Sequence, residues 1–353
     1  MKISIGTNIK DGPWGGGNLF AINLRDYLIK EGHEVTHNLT DDDIDVILIT
    51  EPRKSSESSA YTHVDVKKYI DYVNKEALVV HRINECDERK NTNFVNKYLI
   101  NVNQIADQTI FVSNWLKQLY ESQGINLSNN NVVMAGANSS IFNNLNFEQW
   151  QKGEKIKIVT HHWGANWNKG FDSYVIIDNL IGEKKWKDRI EFTYIGNLPN
   201  KFFFKNVKVV SPLSGQDLAE EIKKNNLYLT GSINEPSGNH HIEAAQCGLP
   251  LLYIDSGGIP EYCHTFGIMY NLKNLEEKLE EIIITYKDFE KSMKSYPFSS
   301  DVMCEDYLEL FKYSIANRQT LLENRVLKQN NSLIRKKLFY ANRKIKKIIF
   351  KSL

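Results

Sequence analysis

Residues 227–263 read LYLTGSINEPSGNHHIEAAQCGLPLLYIDSGGIPEYC, and the order of signals in this stretch decides the fold. Leu227 to Thr230 is an apolar run of strand length that empties into a loop holding Glu235, Pro236, Ser237 and Gly238. A helix is expected next, with Ser237 or Asn239 as its cap and Ile242, Ala245 and Gln246 turning past the core. Gly248 closes it and Pro250 forbids its continuation. Leu251 to Ile254 repeats the strand signal, Asp255-Ser256-Gly257-Gly258 is a turn, and Pro260 opens another helix. Strand, loop, helix, strand, loop, helix is half of a parallel α/β sheet, whose ligands bind beyond the carboxyl ends of the strands.

Two carboxylates give this stretch its chemistry. Glu235 lies in the loop before the helix and Glu243 inside it, so both can point into the crevice above the sheet. Gly238 between them leaves the N–H groups at the helix start open to an anion, which the helix dipole favours. A phosphate site flanked by carboxylates suits a ligand with hydroxyls at both ends, as a nucleotide sugar has.

Glu235 and Glu243 with seven residues between them, the small-residue helix, Gly248-Leu249-Pro250 and Gly257-Gly258-Ile259-Pro260-Glu261 resemble the donor-site signature of retaining glycosyltransferases of family 4 (glycosyl transferases group 1). The resemblance implies an α/β chain of the GT-B fold: two Rossmann-like, doubly wound parallel-sheet domains facing across a cleft. Residues 1–148 form the acceptor domain, 149–298 the donor domain, 299–323 a helix crossing back to the first domain, and 324–353 a basic amphipathic tail. It implies further that Glu235 contacts hydroxyls of the transferred sugar and Glu243 the nucleotide ribose, with Ser237, Gly238 and Asn239 completing the helix start.

Working outward toward the C-terminal domain's first strand, Ile156 to Thr160 runs into His161-His162-Trp163-Gly164-Ala165-Asn166-Trp167-Asn168-Lys169-Gly170. The family carries an arginine and, five residues on, a Lys-Gly pair that clamps the diphosphate. Lys169-Gly170 matches the pair, but Gly164 stands at the arginine position, and His161 or His162 is the expected substitute. Glu191 to Ile195 is the next strand, with Gly196 and Asn197 in its donor-facing loop; Val207 to Ser211 follows, near the nucleotide base. Ser214 to Asn225, Asn274 to Tyr286 and Ser300 to Leu322 read as helices.

The N-terminal half opens with a strand, Met1 to Thr7, and a glycine-rich turn, residues 11–18, before a helix from Leu19 to Glu31. This spacing is not that of a dinucleotide fingerprint, and no acidic residue ends the second strand, where Val35-Thr36-His37 stands. The resemblance brings Gly16 and Gly17 to the donor phosphate instead. Val46 to Thr50 and Ala77 to His81 are further strands, the latter ending in HRINECDERK. His81 is expected to touch the sugar, as a catalytic residue beside Glu235 and Lys169, and Arg82, Asn84 and Glu85 to contact the acceptor. Ala106 to Ser113 resembles the family's segment leading to a helix, and Asn131 to Phe142 its last N-terminal strand and domain exit.

Asp41-Asp42-Asp43 contains a D-x-D pattern, but it precedes a strand instead of ending one, so a solvated turn is expected and no catalytic metal. The paired histidines lack zinc-ligand spacing. Cys86, Cys247, Cys263 and Cys304 show neither metal nor redox spacing, and MKISIGTNIK has no apolar leader, so a cytoplasmic protein without disulfides is expected. No run reaches the roughly 18 apolar residues of a membrane span. The net charge of +1 conceals an asymmetry: residues 324–353 hold ten Lys or Arg and no acid, leaving the rest at −9. Leu327, Ile334, Leu338, Ala341, Ile345 and Ile348 lie near helical spacing there, the pattern of a helix on anionic lipid at the inner face of the plasma membrane or of a solvated tail. Nucleic acid is not an expected partner.

The function implied is transfer of a sugar from a UDP- or GDP-sugar to a saccharide or lipid-linked acceptor with retention of configuration, without metal or other cofactor. A nucleotide-sugar epimerase of the same architecture and a non-catalytic nucleotide-sugar-binding assembly partner remain alternatives, with a dehydrogenase last.

Overall fold

A computed structural model describes residues 1–10, 15–325, 337, 339–341 and 343. The first half runs β1 (Lys2–Ile5), α1 (Gly16–Lys30), β2 (Glu34–Thr36), β3 (Val46–Ile49), α2 (His63–Tyr72), β4 (Leu78–Ile83), α3 (Asp87–Lys90), α4 (Val95–Asn103), β5 (Gln108–Phe111), α5 (Asn114–Ser122) and β6 (Asn130–Val132). The second runs β7 (Ile156–His162), α6 (Phe171–Ile181), β8 (Ile190–Gly196), β9 (Lys208–Val210), α7 (Gly215–Lys223), β10 (Leu227–Thr230), α8 (Asn239–Gln246), β11 (Leu251–Ile254), α9 (Ile259–Cys263), β12 (Gly267–Tyr270), α10 (Leu275–Ile284) and α11 (Tyr286–Ser292). Two helices follow, α12 (Ser300–Ala316) and α13 (Arg318–Glu323).

Among the described residues there are two six-stranded sheets, ordered β2-β1-β3-β4-β5-β6 and β12-β11-β10-β7-β8-β9, with every strand pair parallel. Parallel neighbours need crossover helices, and these cover both faces, so the central strands are buried throughout instead of alternating. β3, β5, β10 and β11 are buried along their whole length. In each sheet the chain steps to opposite sides of its first strand, β1 or β7, which leaves a crevice at the strands' carboxyl ends.

Local signals set the element ends. Thr62 caps α2 in a reciprocal box: its hydroxyl accepts the Asp65 N–H at 3.3 Å, and the Asp65 carboxylate accepts the Thr62 N–H at 3.0 Å. The Ser300–Leu322 helix divides at Asn317, which ends α12 and precedes α13. One face of α12, with Met303, Cys304, Tyr307, Leu308 and Phe311, packs in a single core with Phe20, Leu24 and Leu28 of α1, so this helix is part of the first domain's core. Fully burying side chains of this size stabilises by about 1.5–3 kcal/mol each. Arg325 extends the return: its guanidinium donates to Asp107 and to the carbonyls of Lys75 and Ala77.

The D-x-D aspartates are tied to the body of the domain. Lys2 Nζ lies 2.9 Å from Asp43 and 3.5 Å from Asp41, and Arg343 donates to Asp42 at 2.6 Å and to the carbonyls of Thr40 and Asp41. Among the described residues no group of three His, Cys, Asp or Glu has an arrangement for a metal ion, and no helix is long and apolar enough to cross a membrane. Of the tail, Tyr340 donates to the Tyr72 carbonyl, and the Arg343 guanidinium stands 5.3 Å from the Tyr69 ring. Leu327, Ile334, Leu338, Ile345 and Ile348 lie outside the described residues.

Candidate active site

The two crevices face one another and enclose a cavity of about 550 Å³. The first domain lines it with Gly15, Gly16, Gly17, Phe20, Arg82 and Asn84; the second contributes His161, His162, Lys169, Glu235, Ser237, Gly238, Asn239 and Glu243. Leu213, Ser214 and Leu218 lie at the end near β9, where the sequence placed the nucleotide base.

Lys169 is positioned by the glycine after it. Gly170 has φ +110°, and a Cβ there would come within 2.7 Å of Gly231, so the Lys-Gly turn presses against the end of β10. The Lys169 carbonyl accepts from the Tyr174 hydroxyl at 2.8 Å, and the Ile233 N–H donates to the Asn168 carbonyl at 2.8 Å, locking two loops together. The Lys169 ammonium then reaches 3.2 Å from Glu235 Oε2.

The double glycine of the following turn holds Glu235. Gly258 N–H donates to the Glu235 carbonyl at 2.8 Å, and a Cβ on Gly257, whose φ is +64°, would stand 2.5 Å from that same oxygen. Asn234 takes a left-handed φ of +52° just before it. Burial pushes the Glu235 carboxyl up, but Lys169 and Arg89 together outweigh it and hold the group below the ordinary carboxylate range. Glu235 is therefore an anion near neutral pH, suited to accepting hydrogen bonds or facing positive charge and not to donating a proton. Burial and the nearby Arg89 lower Lys169, while Glu235 opposes them.

Helix α8 begins without a side-chain cap. Its N-cap is Gly238, at φ +80°, so neither Ser237 nor Asn239 takes the role read from the sequence; a Cβ at 238 would come within 3.0 Å of His241, His240 and Glu235. Gly238, Asn239 and His240 at this uncapped start line the cavity, where free N–H groups suit an anion. From the opposite domain Gly16 comes so close that a Cβ would meet the Asn239 amide at 2.8 Å, so a larger residue there would have to displace that amide. Gly17 has no such neighbour.

One turn into α8, Glu243 is 8% exposed and its Oε2 lies 2.9 Å from His161 Nε2, with the Tyr228 hydroxyl 3.2 Å from the other ring nitrogen. His162 Nε2 lies 2.6 Å from the Tyr174 hydroxyl. Burial drives His162 and His240 well below the ordinary histidine range, helped by surrounding cationic groups, so both rings are neutral. Gly164 lies beside the Lys169 stem, so the loop places one cation there.

Several residues expected at the site lie elsewhere. His81 is corrected outright: β4 continues to Ile83, both faces of this central strand are covered, and the ring is fully buried with Nδ1 2.9 Å from Asn103 Oδ1. Desolvation lowers it to about 4, and it does not line the cavity. Glu85 is held by Arg53 at 2.7 Å and by Lys90, away from the cavity lining. Gly196 serves packing: at φ +145°, its Cβ would lie 2.0 Å from the His162 carbonyl of the neighbouring strand. The Asn197 amide donates to the Trp163 carbonyl, and neither 196 nor 197 lines the cavity. Arg82 and Asn84 do, with the Arg82 guanidinium 4.0 Å from the Phe20 ring centroid.

The sequence reading passed over Arg89 and the interdomain clasp. Arg89 Nε donates to Glu235 Oε2 at 2.8 Å from the other domain. Glu261, read only as part of the glycine-proline motif, accepts the N–H groups of Asn114 and Trp115 at 2.7 and 2.6 Å and so compensates the start of α5. Tyr262 beside it bonds the Val112 carbonyl and accepts the Ala135 N–H. A short charged segment after a central strand, Asp87-Glu88-Arg89-Lys90, was the available signal for Arg89.

Residues 180–294 match the family described as Glycosyl transferases group 1, a span that holds Glu235, Glu243 and the double glycine and stops short of Lys169. Among solved structures the chain is similar to a glycosyltransferase from Rickettsia africae, at 13% identity over 90% of this chain and 98% of that one, with a TM-score of 0.63. It is similar to Anabaena HepE in complex with UDP and glucose, at 13% identity over 89% and 100% with a TM-score of 0.63. Sucrose-phosphate synthase from Thermosynechococcus elongatus follows at 14% over 89% and 99%, with a TM-score of 0.58. The fold is GT-B. No curated protein matches the chain. The GT-B architecture and the match to glycosyl transferases group 1 agree on the glycosyltransferase class.

Proposed function

We propose that this protein transfers a sugar from a nucleotide-sugar donor, a UDP- or GDP-sugar, to a saccharide or lipid-linked acceptor, with retention of anomeric configuration and without a metal. The observation that carries this reading is the pairing of Glu235 and Glu243 on either side of the uncapped start of α8, with Lys169 beside them in the interdomain cavity. The diphosphate lies against the α8 N–H groups and Lys169, the ribose hydroxyls on Glu243, and the base toward Leu213 and Leu218. As the bond from the anomeric carbon to the phosphate oxygen breaks, negative charge grows on the leaving diphosphate, where fixed donors and a buried cation are worth most. Glu235, held ionised, accepts sugar hydroxyls and faces the positive charge developing on the ring. HepE, crystallised with UDP and with UDP-glucose, supports a nucleotide-sugar donor here. The basic tail would seat the enzyme on anionic lipid at the inner face of the plasma membrane, next to a lipid-linked acceptor.

Thermal melting with UDP, GDP, ADP, NAD and their sugar conjugates tests the donor site, because a ligand bound only by the folded state raises the melting point by mass action. A shift with one nucleoside diphosphate and its sugar is expected and identifies the base; a shift with NAD alone overturns the reading. Product analysis with donor alone separates a transferase from an epimerase, which would convert the sugar with no acceptor present. Sedimentation with anionic against neutral vesicles tests the tail.

A further inference from the structure

The nearest cation to Glu235 does not belong to the domain that holds the donor. Arg89 lies on α3 of the first domain, is 9% exposed, and places Nε 2.8 Å from Glu235 Oε2, the oxygen that Lys169 approaches from the other side. The neighbouring residues repeat the contact: the Asn234 amide donates to the Glu88 carbonyl at 3.2 Å. Two consecutive residues of the β10–α8 loop thus grip two consecutive residues of α3, while Gly258 pins the Glu235 backbone from behind. Both cations take Oε2, and among the described residues no hydrogen bond engages Oε1, so the carboxylate presents one free oxygen in a direction fixed from both domains.

We propose that Arg89 is a positioning residue for the transfer reaction, supplied by the first domain to orient the Glu235 carboxylate, so that the carboxylate is set for the sugar only when the two domains meet. This rests on the reading of Glu235 as the residue that contacts the donor sugar. Arg89 does not line the cavity and acts through Glu235. The charged and titratable groups around Glu235 are Arg89 from α3 and Cys86 just before it, Lys169 from the turn before α6, Tyr174 from α6 and His241 from α8.

The test compares full-length wild type, Arg89→Gln and Arg89→Lys by melting with UDP, GDP, ADP and their glucose conjugates, then by steady-state hydrolysis of whichever conjugate binds. In that reaction water replaces the acceptor and the nucleoside diphosphate leaves. Arg89→Gln is expected to keep the nucleoside-diphosphate shift and the donor KM while kcat falls about 100-fold, the scale of a small misplacement at a reacting centre. The acid limb of the kcat profile should move to higher pH, since one of two cations keeping Glu235 ionised is gone, and Arg89→Lys should recover part of both. Unchanged kcat, an unmoved acid limb, or KM rising in step with falling kcat would overturn the proposal. A wild type that shifts with no nucleoside diphosphate removes the donor-site reading itself, a result distinguishable from failure of Arg89 alone.

Discussion

Acid should destabilise this protein well above the pH at which its carboxylates protonate, because histidines are buried neutral in both domains. His81 lies in β4 of the first domain with Nε2 buried and unpartnered among the described residues; its pKa is lowered from 6.5 to about 4, mainly by burial. His241 lies in α8 of the second, likewise with a buried unpartnered Nε2, lowered from 6.5 to about 3 by burial, with nearby Glu235 opposing. In the unfolded chain both titrate near 6.5, so below that pH the unfolded state binds protons that the folded state excludes. Stability is fully present above about 6.5 and is lost as pH falls. Between about pH 7 and pH 5 each histidine costs about 2 kcal/mol by this linkage, about 4 kcal/mol for the pair. His162 and His240, shifted in the same direction, add to the loss. Against a total folding stability of about 5–15 kcal/mol the loss is large. Urea unfolding followed at pH 7, 6 and 5 measures it. Because the two residues sit in different domains, both transitions should shift if the domains unfold separately. A stability that stays flat across this range would refute the reasoning, as would His241→Asn with an undiminished pH slope.

Glu235→Gln should lose turnover while donor binding is largely kept, since the amide preserves shape and removes the charge proposed to face the reacting sugar; equal losses of binding and rate count against this role. Gly257→Ala forces a side chain into a left-handed backbone 2.5 Å from the Glu235 carbonyl, so about 1–3 kcal/mol of stability should go, with an activity loss beyond what unfolding explains. Unaltered activity in the folded variant would mean that the double glycine does not hold the carboxylate. Tyr262→Phe removes the hydroxyl that joins α9 to Val112 and Ala135, leaving a buried amide unpaired at a cost of about 1–3 kcal/mol by urea denaturation. A change of under about 0.5 kcal/mol would show that water replaces it.

The stretch from Leu227 to Cys263 was legible because its signals are local: β-strand length, a loop with glycine and proline, a small-residue helix stopped by Gly248 and Pro250. Each depends on a neighbour a few residues away, and so did the Lys169-Gly170 turn, the two carboxylates and the uncovered helix start. His81 was misplaced because the apolar run ends there while the strand does not; only its seat between β3 and β5, both faces covered, carries polar His81 and Arg82 on to Ile83. Gly196 looked like a ligand-side glycine, and only the approach of the His162 carbonyl shows that it is there for packing. The ends of α8 divided the same way: Gly248 closed it as read, but the N-cap fell to Gly238 because the crowded junction with Glu235 and His241 needs a positive φ. Arg89 and Glu235 stand 146 residues apart in different domains, a separation across which no periodicity or spacing carries information. The sequence by itself determined the strand, loop and helix order of one parallel α/β half and the placing of Glu235 and Glu243 about a helix start, because these follow from short-range chain geometry. Only the tertiary structure decided which cations surround Glu235 and which polar residues are buried, because those depend on how two separately wound sheets meet.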